Sequence, residues 1–150
     1  MMLYRISIIH GPNLNLLGNR EKSIYGTESF ETFLNKMKSK YGAQLQIDFY
    51  QSNHEGDLID YIQSIQHTMD GIIINPAAYT HTSIALRDVL LAVKLPCIEV
   101  HISDISSREN FRQNSFIKDC CISTISGLGL EGYDHAIQRI LEIIPHWTKD

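Results

Sequence analysis

A carboxylate and an imidazole stand two residues apart in the stretch IEVHIS, at Glu99 and His101. Alternate residues of a β-strand point to the same side of the sheet, so a strand here would bring these two side chains together. A carboxylate beside a histidine sets the tautomer of the ring and supports its charged form, which suits a general acid or base. The other interpretation is a histidine with a structural role at the end of a strand.

An arginine and a tyrosine stand five residues apart in the stretch NREKSIYG, at Arg20 and Tyr25. A tyrosine with a pKa near 10 is about 0.1% ionised at pH 7, so its use as a base costs about 4 kcal/mol. An arginine within about 4 to 6 Å can lower an acidic pKa by about 1 to 3 units and recover much of that cost. The pair therefore suits a base and its activator.

Further polar candidates follow in NPAAYTHTS and beyond it. Asn75 could use its amide on a ligand. His81 and Asp88 are seven residues apart, and the helix expected here would place them on one face, offset from its apolar stripe. A solvated surface charge is the other interpretation of Asp88.

Two arginines stand four residues apart in SSRENFRQN, at Arg108 and Arg112. On one side of a helical turn they could hold a carboxylate through bidentate hydrogen bonds, although surface charge is a competing explanation. The seven histidines show no HExxH, HxH or similar close spacing of metal ligands, so no metal site is predicted.

The elements that must position these residues are short apolar runs alternating with helical patterns. Strands are predicted over 3–9, 45–50, 71–74, 97–102 and 121–125. A helix is predicted over 30–41, with Thr27 as its N-cap and Gly42 as its end. A second helix opens with capping-box spacing at 52–55. A third helix, capped by Thr82 or Ser83, is predicted to carry Leu86, Val89, Leu90 and Val93 on one stripe and to end before Pro96, and a last helix is predicted over 133–144.

This alternation implies right-handed βαβ crossovers and a parallel sheet covered on both faces. Five strands predict an α/β fold, a flavodoxin-like three-layer sandwich, formed by residues 1–150 as a single domain. In such sheets ligands bind at the carboxyl ends of the strands, which is where the polar candidates stand. The connection over 11–26 is far longer than the usual two to six residues, so we expect it to form a lid carrying Arg20 and Tyr25.

The stretch GLGLEG, at 127–132, matches the dinucleotide fingerprint G-x-G-x-x-G. That fingerprint requires a further strand after its helix, and the sequence stops 18 residues after Gly132. We therefore interpret these glycines as serving a tight turn and close packing of a helix.

Composition limits the remaining classes. A net charge of -4 argues against a protein that binds nucleic acid. The apolar start is too short for a signal segment or a membrane span, which predicts a cytoplasmic protein with no membrane association. Cys97, Cys120 and Cys121 form neither an even disulfide set nor a metal spacing, and we expect reduced thiols in the core.

Taken together, these residues closely resemble the type II 3-dehydroquinate dehydratase family of the shikimate pathway. The resemblance runs nearly end to end, through HGPNLNLLG with REKSIYG, QSNHEGDLID, NPAAYTHTSIALRD, IEVHISDISSRENFR and GLGLEGY. It implies dehydration of 3-dehydroquinate to 3-dehydroshikimate through an enolate, on the route to chorismate and the aromatic amino acids, with no cofactor.

The resemblance also implies roles for individual residues. Tyr25 matches the base, Arg20 its activator and Asn13 the residue that stabilises the enolate. His101 matches the acid that protonates the departing hydroxyl, with Glu99 behind it. The positions that match substrate-binding residues are Asn75, His81, Ile102, Ser103 and Arg112.

Assembly is implied in the same way. Asp88 matches an acidic residue associated with the site of an adjacent subunit, in a homododecamer built from trimers. Ala77 stands where many relatives have glycine, and Ala92 where some have glutamate.

Two other classes compete with the dehydratase. A non-enzymatic flavodoxin-like module would bind a flavin or a phosphorylated partner, but it predicts a phosphate loop or an acidic pair after the first strand, where the sequence has HGPNLNLLG. A catalytically inactive homologue is the third hypothesis, and the presence of every residue named for catalysis disfavours it.

Overall fold

The structure is a computed structural model that describes residues 2–17 and 28–150. Strands and helices alternate along the described chain. The strands are β1 (Tyr4–His10), β2 (Leu45–Gln51), β3 (Gly71–Asn75), β4 (Cys97–His101) and β5 (Ser123–Ser126). The helices are α1 (Phe30–Tyr41), α2 (Glu55–Ile65), α3 (Ile84–Val93) and α4 (Glu131–Ile143). Short 3-10 turns connect several of them.

All neighbouring strands pair in parallel, in the order β2-β1-β3-β4-β5. This order is that of the flavodoxin-like sheets, so the predicted five-stranded α/β fold is confirmed. The register pairs His10 with Asn75 and His101 with Ser126. The last residues of β1, β3, β4 and β5 therefore meet at one edge of the sheet.

Two apolar clusters cover the two faces of the sheet. One contains α1 and α4 with Ile73 of β3, and the other contains α2 and α3 with Ile72 and Ile74. Successive residues of β3 thus face opposite clusters, as the strand period of two requires. The molecule is the three-layer sandwich that the sequence predicts.

The N-caps of α1 and α2 differ from the prediction. Ser29 is the N-cap of α1, because its hydroxyl accepts a hydrogen bond from the Thr32 backbone N–H at 3.2 Å. Thr27, the predicted N-cap, lies outside the described residues. At α2 the N-cap is His54, and the predicted capping box is wrong because the Ser52 hydroxyl accepts from the His54 N–H instead, at 3.0 Å.

His81 and Asp88 do not share a helix, which corrects the prediction for this pair. A 3-10 turn over Ala77–His81 ends at His81, and α3 begins only at Ile84, capped by the Ser83 hydroxyl. Only Asp88 lies on α3.

The glycines after β5 form the turn and close packing that the sequence predicts. Gly127 and Gly129 have φ angles of +82° and +61°, where glycine is favoured. A Cβ on Gly132 would lie 3.4 Å from both Ile125 and Val100, so α4 packs closely on the sheet. The N–H groups of Gly127 and Gly129 also donate to the carbonyls of Ser103 and Ile102, which anchors the loop after β4.

The cysteines are unbonded thiols at the amino ends of β4 and β5. Cys97 is buried as predicted, whereas Cys120 and Cys121 are half-buried. The sulfurs of Cys97 and Cys121 lie 3.6 Å apart. In the described part of the chain, every helix is too short or too polar to cross a membrane.

Candidate active site

A polar cleft lies at the carboxyl edge of the sheet, where two cavities of about 90 and 50 Å³ share the lining residues Leu14, Ala77, Ala78 and Arg112. The structure brings most of the predicted site residues to this cleft, namely Asn13, Asn75, His81, His101, Ile102, Ser103 and Arg112. Arg108 also lines it. These residues come from the ends of β1, β3 and β4 and from the loops that follow.

Glu99 and His101 are in direct contact, as the strand register predicts. The Nε2 atom of His101 lies 2.5 Å from a Glu99 carboxylate oxygen, and both residues are buried. Burial alone would raise the pKa of Glu99, but hydrogen bonds from His101, Ser115 and Thr80 outweigh it and lower that pKa. Glu99 is therefore a carboxylate, and it accepts a hydrogen bond from the His101 imidazole.

The same contact fixes the orientation of the imidazole. Since Nε2 of His101 donates to Glu99, the other ring nitrogen, Nδ1, is the one available to a ligand in the cleft. Within residues 2–17 and 28–150 no side chain or backbone group hydrogen-bonds to Nδ1. His101 thus has the geometry of an acid whose donating atom is Nδ1.

His81 offers a different group to the cleft. Its Nδ1 lies 2.8 Å from the backbone carbonyl of Asn114, and because a carbonyl only accepts, Nδ1 carries the proton. Burial lowers the pKa of His81, although the hydrogen bond to Asn114 opposes this shift. In the neutral ring Nε2 is then an acceptor, which suits a hydroxyl group of a ligand.

The two arginines converge on the cleft without a shared helix. Arg108 lies in extended backbone between two 3-10 turns, and Arg112 ends the second of them. Arg108 donates to the Ser103 hydroxyl at 3.2 Å. Nε of Arg112 lies 2.9 Å from a Glu109 carboxylate oxygen, an ion pair without the alignment of a hydrogen bond. The pair places two positive charges beside Ser103, which suits an anionic ligand.

Asn13 and Ala77 enter the cleft in left-handed backbone conformations, with φ angles of +69° and +53°. The Asn53 side chain accepts from the Asn13 N–H at 3.0 Å and so holds that turn. A Cβ on Gly11 would lie 2.2 Å from the Pro76 carbonyl oxygen, so only glycine allows β1 and β3 to end this close together.

Apart from Glu99, which lies behind His101, three predicted residues are not placed in the cleft. Asp88 is exposed on the outer side of α3, in a shallow groove with Ile59 and Ala92. Arg20 and Tyr25 lie outside the described residues.

Several residues around the site are not predicted by the sequence reasoning. Thr80, Ser115 and Thr124 place their hydroxyl oxygens 2.9 to 3.3 Å from the Glu99 carboxylate. Ser115 and Thr124 are 16 and 25 residues from Glu99, and no spacing rule connects them. Thr80 lies inside the stretch NPAAYTHTS, beside the candidates Asn75 and His81, so its presence near the site could have been predicted from the sequence.

Sheet order and cleft together define a flavodoxin-like α/β protein with a polar ligand site at the carboxyl edge of its sheet. A family model described as "Dehydroquinase class II" matches residues 4–141. The chain belongs to this class II dehydroquinase family.

Similar proteins agree with this assignment. The chain is 50% identical over 141 residues to the 3-dehydroquinate dehydratase of Halothermothrix orenii, covering 93% of this chain and 95% of that one. It is 50% identical over 140 residues to the 3-dehydroquinate dehydratase of Campylobacter jejuni, with 93% and 88% covered. A crystal structure of type II dehydroquinase from Butyrivibrio crossotus superposes with a TM-score of 0.89 at 46% identity, covering 93% of this chain and 98% of that one.

Proposed function

We propose that the chain dehydrates 3-dehydroquinate to 3-dehydroshikimate through an enolate, as a 3-dehydroquinate dehydratase of the class II family. The observation that carries the proposal is the cleft in which the Glu99–His101 pair stands with Arg108 and Arg112, inside a family match over 4–141. By family, the reaction belongs to the shikimate pathway that supplies chorismate and the aromatic amino acids. Residues 1–150 act as one catalytic domain, and the chemistry requires neither cofactor nor metal.

The first step is removal of a proton from the carbon next to the ketone. By the family resemblance, Tyr25 is the base, as tyrosinate, and Arg20 is its activator. A ketone makes the neighbouring C–H acidic enough for such a base, provided that the enolate oxygen meets prearranged donors. We assign Asn13 as one of these donors, and its position at the cleft, in a turn held by Asn53, supports this role.

The second step is loss of the hydroxyl. The enolate electron pair restores the carbonyl and forms the carbon–carbon double bond, while the departing hydroxyl takes a proton from Nδ1 of His101 and leaves as water. Glu99 holds the imidazole through Nε2, which leaves Nδ1 to give up that proton.

Substrate binding uses the remaining cleft residues. The loop of Ile102 and Ser103, held by the glycine turn, receives the carboxylate with the arginine charges nearby. Nε2 of His81 and the side chains of Asn75 and Arg112 bind the hydroxyls.

The same family argument extends to assembly and location. We infer a homododecamer of trimers in the cytoplasm, in which Asp88 serves the site of an adjacent subunit. The outer side of α3 supports an interface, because Ile84 and Leu91 on this helix are 58% and 50% exposed. Light scattering tests the assembly, and a monomer's mass would contradict it.

An ultraviolet absorbance assay tests the proposed dehydratase activity. Adding 3-dehydroquinate to the purified protein should raise the ultraviolet absorbance as the conjugated enone forms. No rise at high protein concentration would contradict the proposed function and favour an inactive homologue or a non-enzymatic module.

Tyr25→Phe tests the base. Removing the hydroxyl should abolish turnover while product binding, measured by calorimetry, stays close to that of the parent protein. Tyr4→Phe is the matched control, because Tyr4 begins β1 at the opposite edge of the sheet, and it should retain activity. Full activity of Tyr25→Phe would refute the assignment.

A further inference from the structure

A buried chain of three polar side chains runs beneath Asn75, on the face of the sheet covered by α1 and α4. The Asn75 Nδ2 atom lies 3.0 Å from the Tyr133 hydroxyl, which in turn lies 2.7 Å from Nε2 of His10. Tyr133 and His10 are fully buried, and Asn75 is 3% exposed. None of the steps proposed above uses His10 or Tyr133.

The direction of the first hydrogen bond in this chain follows from one backbone group. The Ala77 N–H points at the Asn75 side-chain oxygen at 3.1 Å, and since an N–H only donates, the atom facing it must be Oδ1. The Asn75 NH₂ group therefore faces Tyr133 and donates to its oxygen. Tyr133 then still has its own O–H to donate, and the atom that faces it is Nε2 of His10.

His10 is suited to be the acceptor at the end of this chain. Burial lowers its pKa to about 3, so the ring is neutral. If Nε2 accepts from Tyr133, the ring proton lies on Nδ1, which is buried and has no hydrogen-bond partner among the described residues. Burial also raises the pKa of Tyr133 above its usual range, which keeps its hydroxyl protonated. The rings of Phe30 and Phe49 pack on the imidazole at centroid distances of 4.2 and 5.1 Å and fix its plane.

We propose that His10 and Tyr133 are positioning residues that lock the Asn75 amide, so that its second N–H points into the cleft and binds an acceptor oxygen of the substrate. The inference rests on the proposed function and deepens it, because it assigns the kind of group that Asn75 recognises. A hydroxyl or carboxylate oxygen fits this point of the cleft, and a group that only donates does not.

This fixed orientation, here called the lock of Asn75 by Tyr133 and His10, matters because the two ends of the amide group are nearly the same in shape. A flipped Asn75 would place its NH₂ against the Ala77 N–H and its oxygen against the cleft, so two donors would face each other. Without Tyr133 and His10, only the Ala77 N–H would oppose that flip.

Kinetics of the intact enzyme test the lock. In Tyr133→Phe and in His10→Leu, we expect KM for 3-dehydroquinate to rise roughly tenfold or more, with a smaller change in kcat, because uniform binding is lost. In His10→Gln the side-chain oxygen replaces Nε2 as acceptor, so KM should return to within about threefold of the parent value. An unchanged KM in both disruptive variants, or no recovery in His10→Gln, would overturn the proposal.

Tyr61→Phe is the matched control. It also removes a tyrosine hydroxyl bonded to a β1 side chain, Ser7, at 2.7 Å, but on the other face of the sheet. Its KM should not change. Equal rises in KM for Tyr61→Phe and Tyr133→Phe would mean that general loosening of the sheet explains both, and would overturn the proposal.

Dependence on Asn75 is a separate test. In an Asn75→Ala background, Tyr133→Phe should add little to KM, since the residue that it positions is gone. Effects that multiply instead would show that Tyr133 acts by another route and overturn the proposal.

The tautomer can be read in the parent protein, even if the variants fail to fold. In the ¹⁵N-labelled protein, the nitrogen spectrum of His10 should show a protonated Nδ1 and a bare Nε2 at neutral pH. A proton on Nε2 would overturn the proposed direction of the chain. This result does not depend on turnover, so it separates failure of the lock from failure of the proposed function.

Discussion

Glu99 is fully buried, yet its surroundings favour the charged form. Besides His101, hydroxyls of Ser115, Thr80 and Thr124 lie within 3.3 Å of its two oxygens. An ionised carboxylate only accepts hydrogen bonds, so the charged form of Glu99 can accept from every one of these donors. An apolar side chain in place of Glu99 could accept from none of them. The hydroxyls therefore stabilise the charged Glu99 carboxylate that contacts His101.

Ser115→Ala tests this support, because its hydroxyl contacts both oxygens of Glu99 at 3.0 and 2.9 Å. Loss of that donor should raise the pKa of Glu99, so the acid limb of the kcat–pH profile should move to higher pH. At neutral pH we expect kcat to fall roughly threefold to tenfold.

Ser64→Ala serves as the control for this measurement, since its hydroxyl donates to the Tyr61 carbonyl in α2, away from the cleft. It should leave the profile unchanged. A Ser115→Ala profile that coincides with the parent profile would contradict the prediction, because it would show that the other donors keep Glu99 ionised without Ser115.

At the scale of elements, the sequence predicts what depends on local periodicity. The strands and helices agree with the predictions to within about two residues because burial of alternating or helical stripes decides them. The Glu99–His101 contact was predictable for the same reason. The helix caps were not, because several backbone N–H groups lack an intrahelical partner at the start of a helix, and only the folded geometry decides which of them a nearby hydroxyl reaches.

The end of α3 is another feature that the sequence does not signal. Lys94 follows the helix with φ of +55° and ψ of +31°, a left-handed conformation in which glycine is favoured. Because a side chain in this conformation costs about 1 kcal/mol, Lys94→Gly should raise the free energy of unfolding by roughly that amount. The melting temperature should rise by about 2 to 4 °C. The contact with Trp147 should survive, since the indole donates to the Lys94 backbone carbonyl.

Ala92→Gly changes a residue two positions earlier, inside α3, and should change the free energy of unfolding in the opposite direction. Glycine in a helix interior costs up to about 1 kcal/mol relative to alanine, so this variant should be less stable. Equal shifts in both variants, measured by thermal unfolding, would contradict the account of the helix end.

At the scale of the whole molecule, both layers of helices support the cleft. The α1/α4 layer reaches Asn75 through Tyr133 of α4, which also contacts His10 of β1. Glu99 and His101 alternate with Ile98 and Val100 and so face the α2/α3 side. Contacts of this kind join residues up to 123 positions apart. The sequence places each residue on an element, but the pairing of these distant side chains follows only from how the layers pack.

A buried neutral histidine also makes the stability of the whole molecule depend on pH. Burial lowers the pKa of His10 from 6.5 to about 3, so between these values the unfolded chain binds a proton that the folded chain does not. The free energy of unfolding should therefore rise with pH across this window, by up to about 1.4 kcal/mol per pH unit, and level off above it. Urea unfolding at one fixed protein concentration, between about pH 4.5 and 7.5, measures the slope.

His10→Gln should make that slope shallower, because the group that takes up the proton is gone, whereas His146→Gln, an exposed position near the C-terminus, should keep the parent slope. The range stops near pH 4.5 because Glu99 and Asp134, whose pKa values are lowered in the folded state, lose their stabilising contribution as the pH falls further. Parallel slopes for His10→Gln and the parent protein would mean that His10 is not the group that the fold keeps neutral. In that case the buried chain from His10 through Tyr133 to Asn75 would have to be assigned in another direction.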